Sequence, residues 1–480
     1  MANKLSKVIL KSIGIFGGVQ IVSIVCTLLR TKLIAVSLGA VGVGVFSLFT
    51  VTTELIYTIA SLGIRNSSVR SLSMLRDDDT EHRVRLMTVI RRWALWTGLL
   101  GMAIMIVFAP MLSRWTFGEQ SHVGSFVGIS VVLLLICKTR GEDAILQGTR
   151  QLGRLSRATM AGNILGVVVC VPLLYMLGIH AVECLVVAWA LLNWLCLTVA
   201  SRRSAVSSAQ PSQPVDARQA WHEGMGFVRL GVYMSLGMGV GCLADYIFAS
   251  YLNVTASTSD VGYYQAGYNI VNRYADMLFS AMAMDFYPRL ARYWRHKRGI
   301  EVVFTKQLNI TLSMLAVAIP VLLLVRPLVV EVLYSRQFLV VVPYVGYAAV
   351  GSIFKAISWC MAFVVLIGGN GKLFLLTETL SAIATVGCNV LGWHFWGLDG
   401  LGMMYALNFL LYTVIMYVCY RGVYSLRVHR SSIIISLLAL LTCTMALLVT
   451  DNDMPMPVQI AVTVAMATVG AVMFFRVYRK

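Results

Sequence analysis

Apolar runs of about 18 to 25 residues recur along this chain from one end to the other, and each is long enough to cross a hydrocarbon core of roughly 30 Å as a helix. Inside hydrocarbon a backbone must satisfy its own N–H and C=O groups, which runs of this length do as helices. Hydropathy places fourteen of them, near residues 13–38, 41–62, 93–112, 123–146, 160–177, 181–200, 227–252, 262–287, 310–330, 340–367, 373–395, 400–420, 434–449 and 458–475. Hydrophobic residues make up 58% of the chain and charged ones 12%, against roughly 25% charged in an ordinary soluble protein. No room is left for a sizeable soluble domain, and the expected fold is all-α and polytopic.

The first run follows Lys4, Lys7 and Lys11 as a signal peptide would. It is about 26 residues long and lacks a small-x-small cleavage site before a soluble region, so it reads as a retained helix. The ten cysteines are scattered through apolar segments without CxxC or Cys/His spacing. They read as packing residues, with neither a disulfide framework nor a metal site.

A formal charge of +18 would suit nucleic acid if the basic residues were spread evenly. They are not. With both termini cytoplasmic, roughly 30 of the 39 Lys and Arg fall on one side, in the N-terminal segment and in residues 65–92, 150–157, 202–229, 289–306, 372, 421–430 and 476–480. The opposite loops hold Arg114, Arg326 and Arg336, as the positive-inside rule expects. The charge therefore reports topology and an attraction to anionic membrane lipids, and no nucleic-acid partner is expected.

The chain also repeats itself. Val43-Gly44-Val45-Phe46-Ser47 lines up with Val261-Gly262-Tyr263-Tyr264-Gln265 at an offset of 218, and Gly153-Arg154-Leu155 with Gly371-Lys372-Leu373 at the same offset. Gly178-Ile179-His180-Ala181 matches Gly397-Leu398-Asp399-Gly400 at 219. The expected organisation is an N-terminal six-helix lobe (1–201), a Ser/Pro/Gln-rich cytoplasmic linker (202–220), a pseudo-symmetric C-terminal six-helix lobe (221–421) and two additional transmembrane helices (422–480). Parallel repeats of this kind suit alternating access about a site between lobes. A duplicated bundle that transports nothing is the plainer alternative.

Ionisable residues within spans are costly and are functional candidates by default. Here they are Arg30, Lys32, Glu54, Asp245, Arg273, Asp276, Lys355 and Glu378, with Asp285 nearer a span end. The offset carries Lys138 onto Ala356, so the fourth helix should run on to about Gly148 and bring Lys138, Arg140, Glu142 and Asp143 into a helix facing a hydrated interior. Structural alternatives stand beside each. Arg273 and Asp276, three apart, can pair locally; Asp245 can pair with Lys355; Glu54 and Glu378 can be hydrogen-bonded acids, a state that equally suits ion coupling.

Arg30 and Lys32 cannot share a helix face, because residues two apart point about 200° from one another. Arg30 continues a polar stripe of Gln20, Ser23, Thr27 and Ser37, whereas Lys32 sits among Val25, Leu28, Leu29 and Val36, from where it can snorkel to the interface. No Ser/His/Asp set or nucleotide motif is present, so neither an enzyme nor an ATP-driven pump is expected, and no cofactor or metal. The energy source would be an ion gradient, the membrane potential or the substrate's own gradient.

The stretches "KLIAVSLGAVGVGVFSLF" (32–49), "DVGYYQAGYNIVNRYADML" (260–278), "FYPRLAR" (286–292) and "GLDGLGMMYAL" (397–407) resemble the Wzx-type polysaccharide flippases of the multidrug/oligosaccharidyl-lipid/polysaccharide exporter superfamily. The resemblance covers residues from about 5 to 425. It implies a multi-pass protein of the bacterial cytoplasmic (inner) membrane that translocates an undecaprenyl-pyrophosphate-linked oligosaccharide, an O-antigen or related surface-polysaccharide unit. It further implies a cationic cavity, for which the candidates are Arg30, Lys32, Arg273, Lys355 and Arg140, and a coupling ion, H+ or Na+. The candidates for coupling or charge pairing are Asp245, Asp276, Glu54 and Glu378. The polymerase and chain-length proteins of the same pathway are possible partners. Some relatives carry Arg in the second helix where this chain has Glu54. A multidrug cation antiporter of the same superfamily, a non-transporting subunit of a polysaccharide assembly complex and a membrane enzyme acting on the same lipid are the competing readings.

Overall fold

The computed structural model describes residues 2–75, 80–203, 215–294, 296–452 and 454–479; the side chains of 2–21, 66, 74, 226–234, 273–275, 277, 278, 280, 281, 284 and 478 lie outside that description. The described chain is helical throughout, with no β-strand among the described residues. Its helices are α1 (Ala2–Ala60), α2 (Ile64–Met74), α3 (Thr80–Phe117), α4 (Val123–Gly148), α5 (Leu152–Leu177), α6 (Ala181–Arg202), α7 (Ala217–Thr255), α8 (Thr258–Arg292), α9 (Lys297–Leu333), α10 (Val342–Ile367), α11 (Gly371–Val418), α12 (Arg430–Asp451) and α13 (Met456–Tyr478).

Ten segments of the described chain are long and apolar enough to cross a membrane. Three of them are hairpins of two spans, each turned at a glycine whose φ is positive. Gly39 (φ 65°, ψ −158°) breaks α1 and Gly397 (φ 60°, ψ −137°) breaks α11. Gly178 (φ 54°, ψ −128°) separates α5 from α6. A side chain at these angles is strained, so the turns fall where the sequence has glycine. Contacts across each turn show that the chain doubles back. The Arg30 guanidinium carbon lies 4.8 Å from the Phe46 ring centroid, whereas sixteen residues of straight helix would separate them by about 24 Å. Across Gly397, Asn408 Nδ2 donates to Thr385 Oγ1 at 3.0 Å and Tyr412 Oη to Glu378 Oε1 at 2.8 Å.

The α5–α6 hairpin is packed through Gly162 and Gly166, a GxxxG pair that lets two helix backbones approach closely. A Cβ at Gly162 would lie 2.8 Å from the Asn193 carboxamide oxygen, and one at Gly166 would collide with the Trp189 ring. With the three hairpins counted twice, the ten segments hold thirteen spans, and the 35-residue helix α8 makes the fourteenth expected one. The chain is an all-α, multi-pass membrane protein.

The described chain divides into two compact units, Met1–Val261 and Gly262–Lys480. In the first, a core of Phe49, Leu55, Ile56, Met105, Phe126, Ile129 and Leu133 joins α1, α3 and α4. Helix α7, which the repeat assigns to the second lobe, packs here against α1, α2 and α3. Its N-terminus is closed by a capping box between Asp216 and Gln219. Trp221 stacks on Trp93 at 4.8 Å, Trp93 Nε1 donates to the Ala220 carbonyl at 2.9 Å, and Arg85 pairs with Glu223. Near its other end Tyr246 Oη hydrogen-bonds Thr116 Oγ1 at 3.0 Å, and Asn253 Nδ2 donates to the Thr116 carbonyl at 2.8 Å. Helical structure thus begins inside the expected linker, and residues 204–214 of that linker lie outside the described residues.

In the second unit the core runs through Phe286, Phe304, Leu312, Ile353, Ala356, Cys360, Met416 and Tyr420 and takes in Ala439, Cys443 and Ala446 of α12. A Cβ on Gly470 of α13 would lie 2.7 Å from the backbone of Ala316 in α9. Arg326, 5% exposed, donates to the Thr450 carbonyl at 3.2 Å and pairs with Asp451 at the end of α12. Helix α12 is therefore part of the core of this unit, and α13 packs closely on α9.

Candidate functional site

A cavity of about 480 Å³ opens within the first unit, between both arms of α1 and helices α2, α4, α5 and α6. That volume lies in the range of small-molecule sites. Its walls carry Arg30, Arg65 and Arg140 against Glu54 and Asp143, with Ser23, Thr50, Thr53, Thr139, Gln147, Thr159 and Asn193 among the polar lining and Phe46, Tyr57 and Trp189 among the aromatic. Three guanidiniums against two carboxylates leave the chamber cationic.

Each cation has a local reason for its position. Arg30 lies over two rings, 4.2 Å from the Trp189 centroid and 4.8 Å from that of Phe46. Such contacts are worth roughly 0.5 to 2 kcal/mol each, more where water is excluded. Trp189 is in turn flat against α5 because Gly166 has no side chain. The first arm of α1 is tied to α5 by Asn163 Nδ2, which donates to Ser23 Oγ at 2.9 Å. Arg65 sits in the first turn of α2, just after Gly63 (φ 64°) ends the preceding segment. Its Nε donates to Asp143 Oδ2 at 2.6 Å and its Nη2 to Gln147 Oε1 at 3.5 Å. Arg140 lies one helical turn before Asp143, 3.9 Å from the same Oδ2. The expected continuation of the fourth helix to Gly148 is what brings these residues onto one wall.

The sequence candidates fall into separate places. Arg30, Arg140 and Glu54 line this cavity; Lys32 is half-buried and is not part of its lining, as the 200° separation from Arg30 requires. Asp245 stands exposed on α7, away from the cavity lining. In the second unit Lys355 Nζ donates to Asn272 Oδ1 and to Asp276 Oδ1, each at 2.7 Å, while Tyr405 Oη donates to the same Asn272 oxygen at 2.9 Å. Lys355 thus pairs with Asp276 within this unit. Glu378 accepts from Tyr412. The Arg273 side chain lies outside the described residues, so its local pairing with Asp276 does too.

The pattern that defines the family described as "Polysaccharide biosynthesis protein" matches residues 38–343. The chain belongs to that family. Among curated relatives of this polysaccharide biosynthesis protein, the lipid III flippases of Escherichia coli (strain K12) and Shigella flexneri are each 22% identical over 360 residues, 75% of this chain and 85% of the relative. Among solved structures, an inward-facing multidrug resistance MATE family transporter of the MOP superfamily matches with a TM-score of 0.70 at 15% identity, covering 84% of this chain and 94% of that one. The lipid II flippase MurJ in an inward closed conformation matches with a TM-score of 0.70 at 12% identity, covering 97% of this chain and 99% of that one. The fold is the one these transporters share.

Sequence reasoning missed Arg65 as a site residue, because hydropathy alone put it in a loop beyond the second span. It also missed Trp189 and Asn193. The Gly162-Asn163-Ile164-Leu165-Gly166 spacing was the available signal, since it marks the face on which the next helix lays its large side chains.

Proposed function

We propose that this polysaccharide biosynthesis protein is a flippase that moves undecaprenyl-pyrophosphate-linked oligosaccharide units, of O-antigen or a related surface polysaccharide, from the cytoplasmic to the periplasmic leaflet of the bacterial inner membrane by alternating access. The observation that carries this reading is the polar, cationic chamber inside an otherwise apolar helical bundle. A pyrophosphate and its sugars cannot cross hydrocarbon unaided. Arginine forks suit phosphate oxygens, and hydroxyl and amide side chains around them suit sugar hydroxyls. The chamber's volume fits the head group and its first sugars, and leaves the prenyl chain to the lipid. The likeness to lipid III flippases in sequence and to a lipid II flippase in fold supports the same assignment.

Arg30, Arg65 and Arg140 are the proposed ligands of the pyrophosphate. Lys32 retains its proposed part only through the family resemblance, and Lys355 with Asp276 is the proposed coupling pair of the second unit. Glu54, Glu378 and Asp245 remain candidates for that coupling. A multidrug antiporter is the second reading, favoured by the equal TM-score to the MATE transporter and by Glu54 in the chamber wall. The arginine excess weighs against organic cations.

Deletion of the gene, with no redundant flippase present, tests the proposal. Complete lipid-linked repeat units should accumulate on the cytoplasmic leaflet, with export restored by complementation. Normal export in the deletion strain would rule the flippase reading out.

A further inference from the structure

Consecutive residues of α4 make ion pairs of opposite design. Glu142 receives Arg91 through both oxygens, Nε to Oε1 at 2.8 Å and Nη2 to Oε2 at 3.1 Å, and the same Nη2 donates to Ser201 Oγ at 3.1 Å. Glu142 thus takes a guanidinium fork through both of its oxygens, outside the cavity lining. Asp143 is instead shared: its Oδ2 accepts Arg65 at 2.6 Å and lies 3.9 Å from Arg140 Nη1, too far for a hydrogen bond. Its side chain is 11% exposed, while those of Arg65 and Arg140, on the cavity wall, are 36% and 49% exposed. One buried carboxylate therefore holds two accessible guanidiniums, tightly by one arm and loosely by the other.

We propose that Asp143 is a resident stand-in for phosphate. It keeps Arg65 and Arg140 together when the cavity is empty, and it yields the Arg140 arm when a pyrophosphate group enters. Two guanidiniums held to one carboxylate on the same cavity wall repel one another when no anion lies between them. A single carboxylate relieves that repulsion but leaves net positive charge and unfilled donors. A pyrophosphate brings more oxygens and more charge and can engage both forks at once. The carboxylate then competes with the ligand it prepares for, so it weakens binding and assists release. This inference rests on the flippase reading and adds to it a residue that sets the balance between capture and release.

The test uses the full chain in lipid nanodiscs, with undecaprenyl pyrophosphate and inorganic pyrophosphate as probes. Asp143→Asn should bind undecaprenyl pyrophosphate about tenfold tighter than wild type and transport more slowly; Arg140→Gln should bind about tenfold more weakly. Inorganic pyrophosphate should rank the variants in the same order, because the group recognised is the phosphate. Binding by folded Asp143→Asn that equals wild type or falls below it overturns the proposal. If Asp143→Asn does not fold, Arg140→Gln decides, since it leaves the Arg65–Asp143 pair in place; unchanged binding there overturns the proposal. Wild type that binds neither probe brings down the flippase reading itself, an outcome distinct from wild-type binding that Asp143→Asn fails to tighten.

Discussion

Arg30, from the first arm of α1, lies over the indole of Trp189 from α6, its guanidinium carbon 4.2 Å from the ring centroid. The contact fixes a permanently charged, planar donor in the wall of a membrane-embedded chamber. Arg30→Ala should reduce transport at least tenfold with expression retained, measured by export of the lipid-linked sugar in a complemented deletion strain. Arg30→Lys should restore only part of it, because an ammonium keeps the charge but not the fork or the stacking.

Gly166 positions Trp189, and Trp189 positions Arg30. Gly166→Ala should push the indole off α5 and lower transport about threefold to tenfold, within the worth of a cation–π contact. Trp189→Leu should behave alike. The check is a transport rate normalised to protein in the membrane, and rates equal to wild type for both variants would dissociate the stack from function.

The expected spans were legible because length and hydropathy alone mark a membrane helix, and the turn glycines at 39, 178 and 397 lie where those spans were expected to end. The extension of α4 was legible through the repeat, which carried the tenth span's length onto the fourth. Arg65 was not, because a short helix after Gly63 looks like a loop to hydropathy. The seating of α7 in the first unit was hidden for another reason. The repeat was read from short sequence matches, whereas the Trp93–Trp221 stack and the Arg85–Glu223 pair join residues well over a hundred positions apart, which no local pattern encodes.

Gly39 turns α1 at φ 65° and ψ −158°. Gly39→Ala should cost about 1–3 kcal/mol, the usual penalty for a side chain in that region. The readout is a lowered midpoint of thermal unfolding in detergent, and a midpoint equal to wild type would mean that the turn can relax.

Arg326 is buried against α12 and pairs with Asp451. Arg326→Ala should destabilise the second unit by about 3 kcal/mol, as removal of one partner from a buried pair does. Limited proteolysis should then release the segment that carries α12 and α13 sooner than in wild type. Unchanged protease resistance would show that apolar packing alone holds these helices.

Lys355 and Asp276 form the charge pair proposed for coupling in the second unit. Asp276→Asn should make transport indifferent to an imposed proton or sodium gradient, while Lys355→Arg should keep a gradient response. A full response in Asp276→Asn would remove the pair from coupling.

The most direct measurement reconstitutes the purified chain in liposomes that carry an undecaprenyl-pyrophosphate-linked oligosaccharide in one leaflet and follows its arrival in the other with an impermeant sugar-modifying enzyme. The account predicts transfer that depends on the protein and falls at least tenfold in Arg30→Ala. Transfer no faster than in protein-free liposomes, or undiminished in Arg30→Ala, would contradict it.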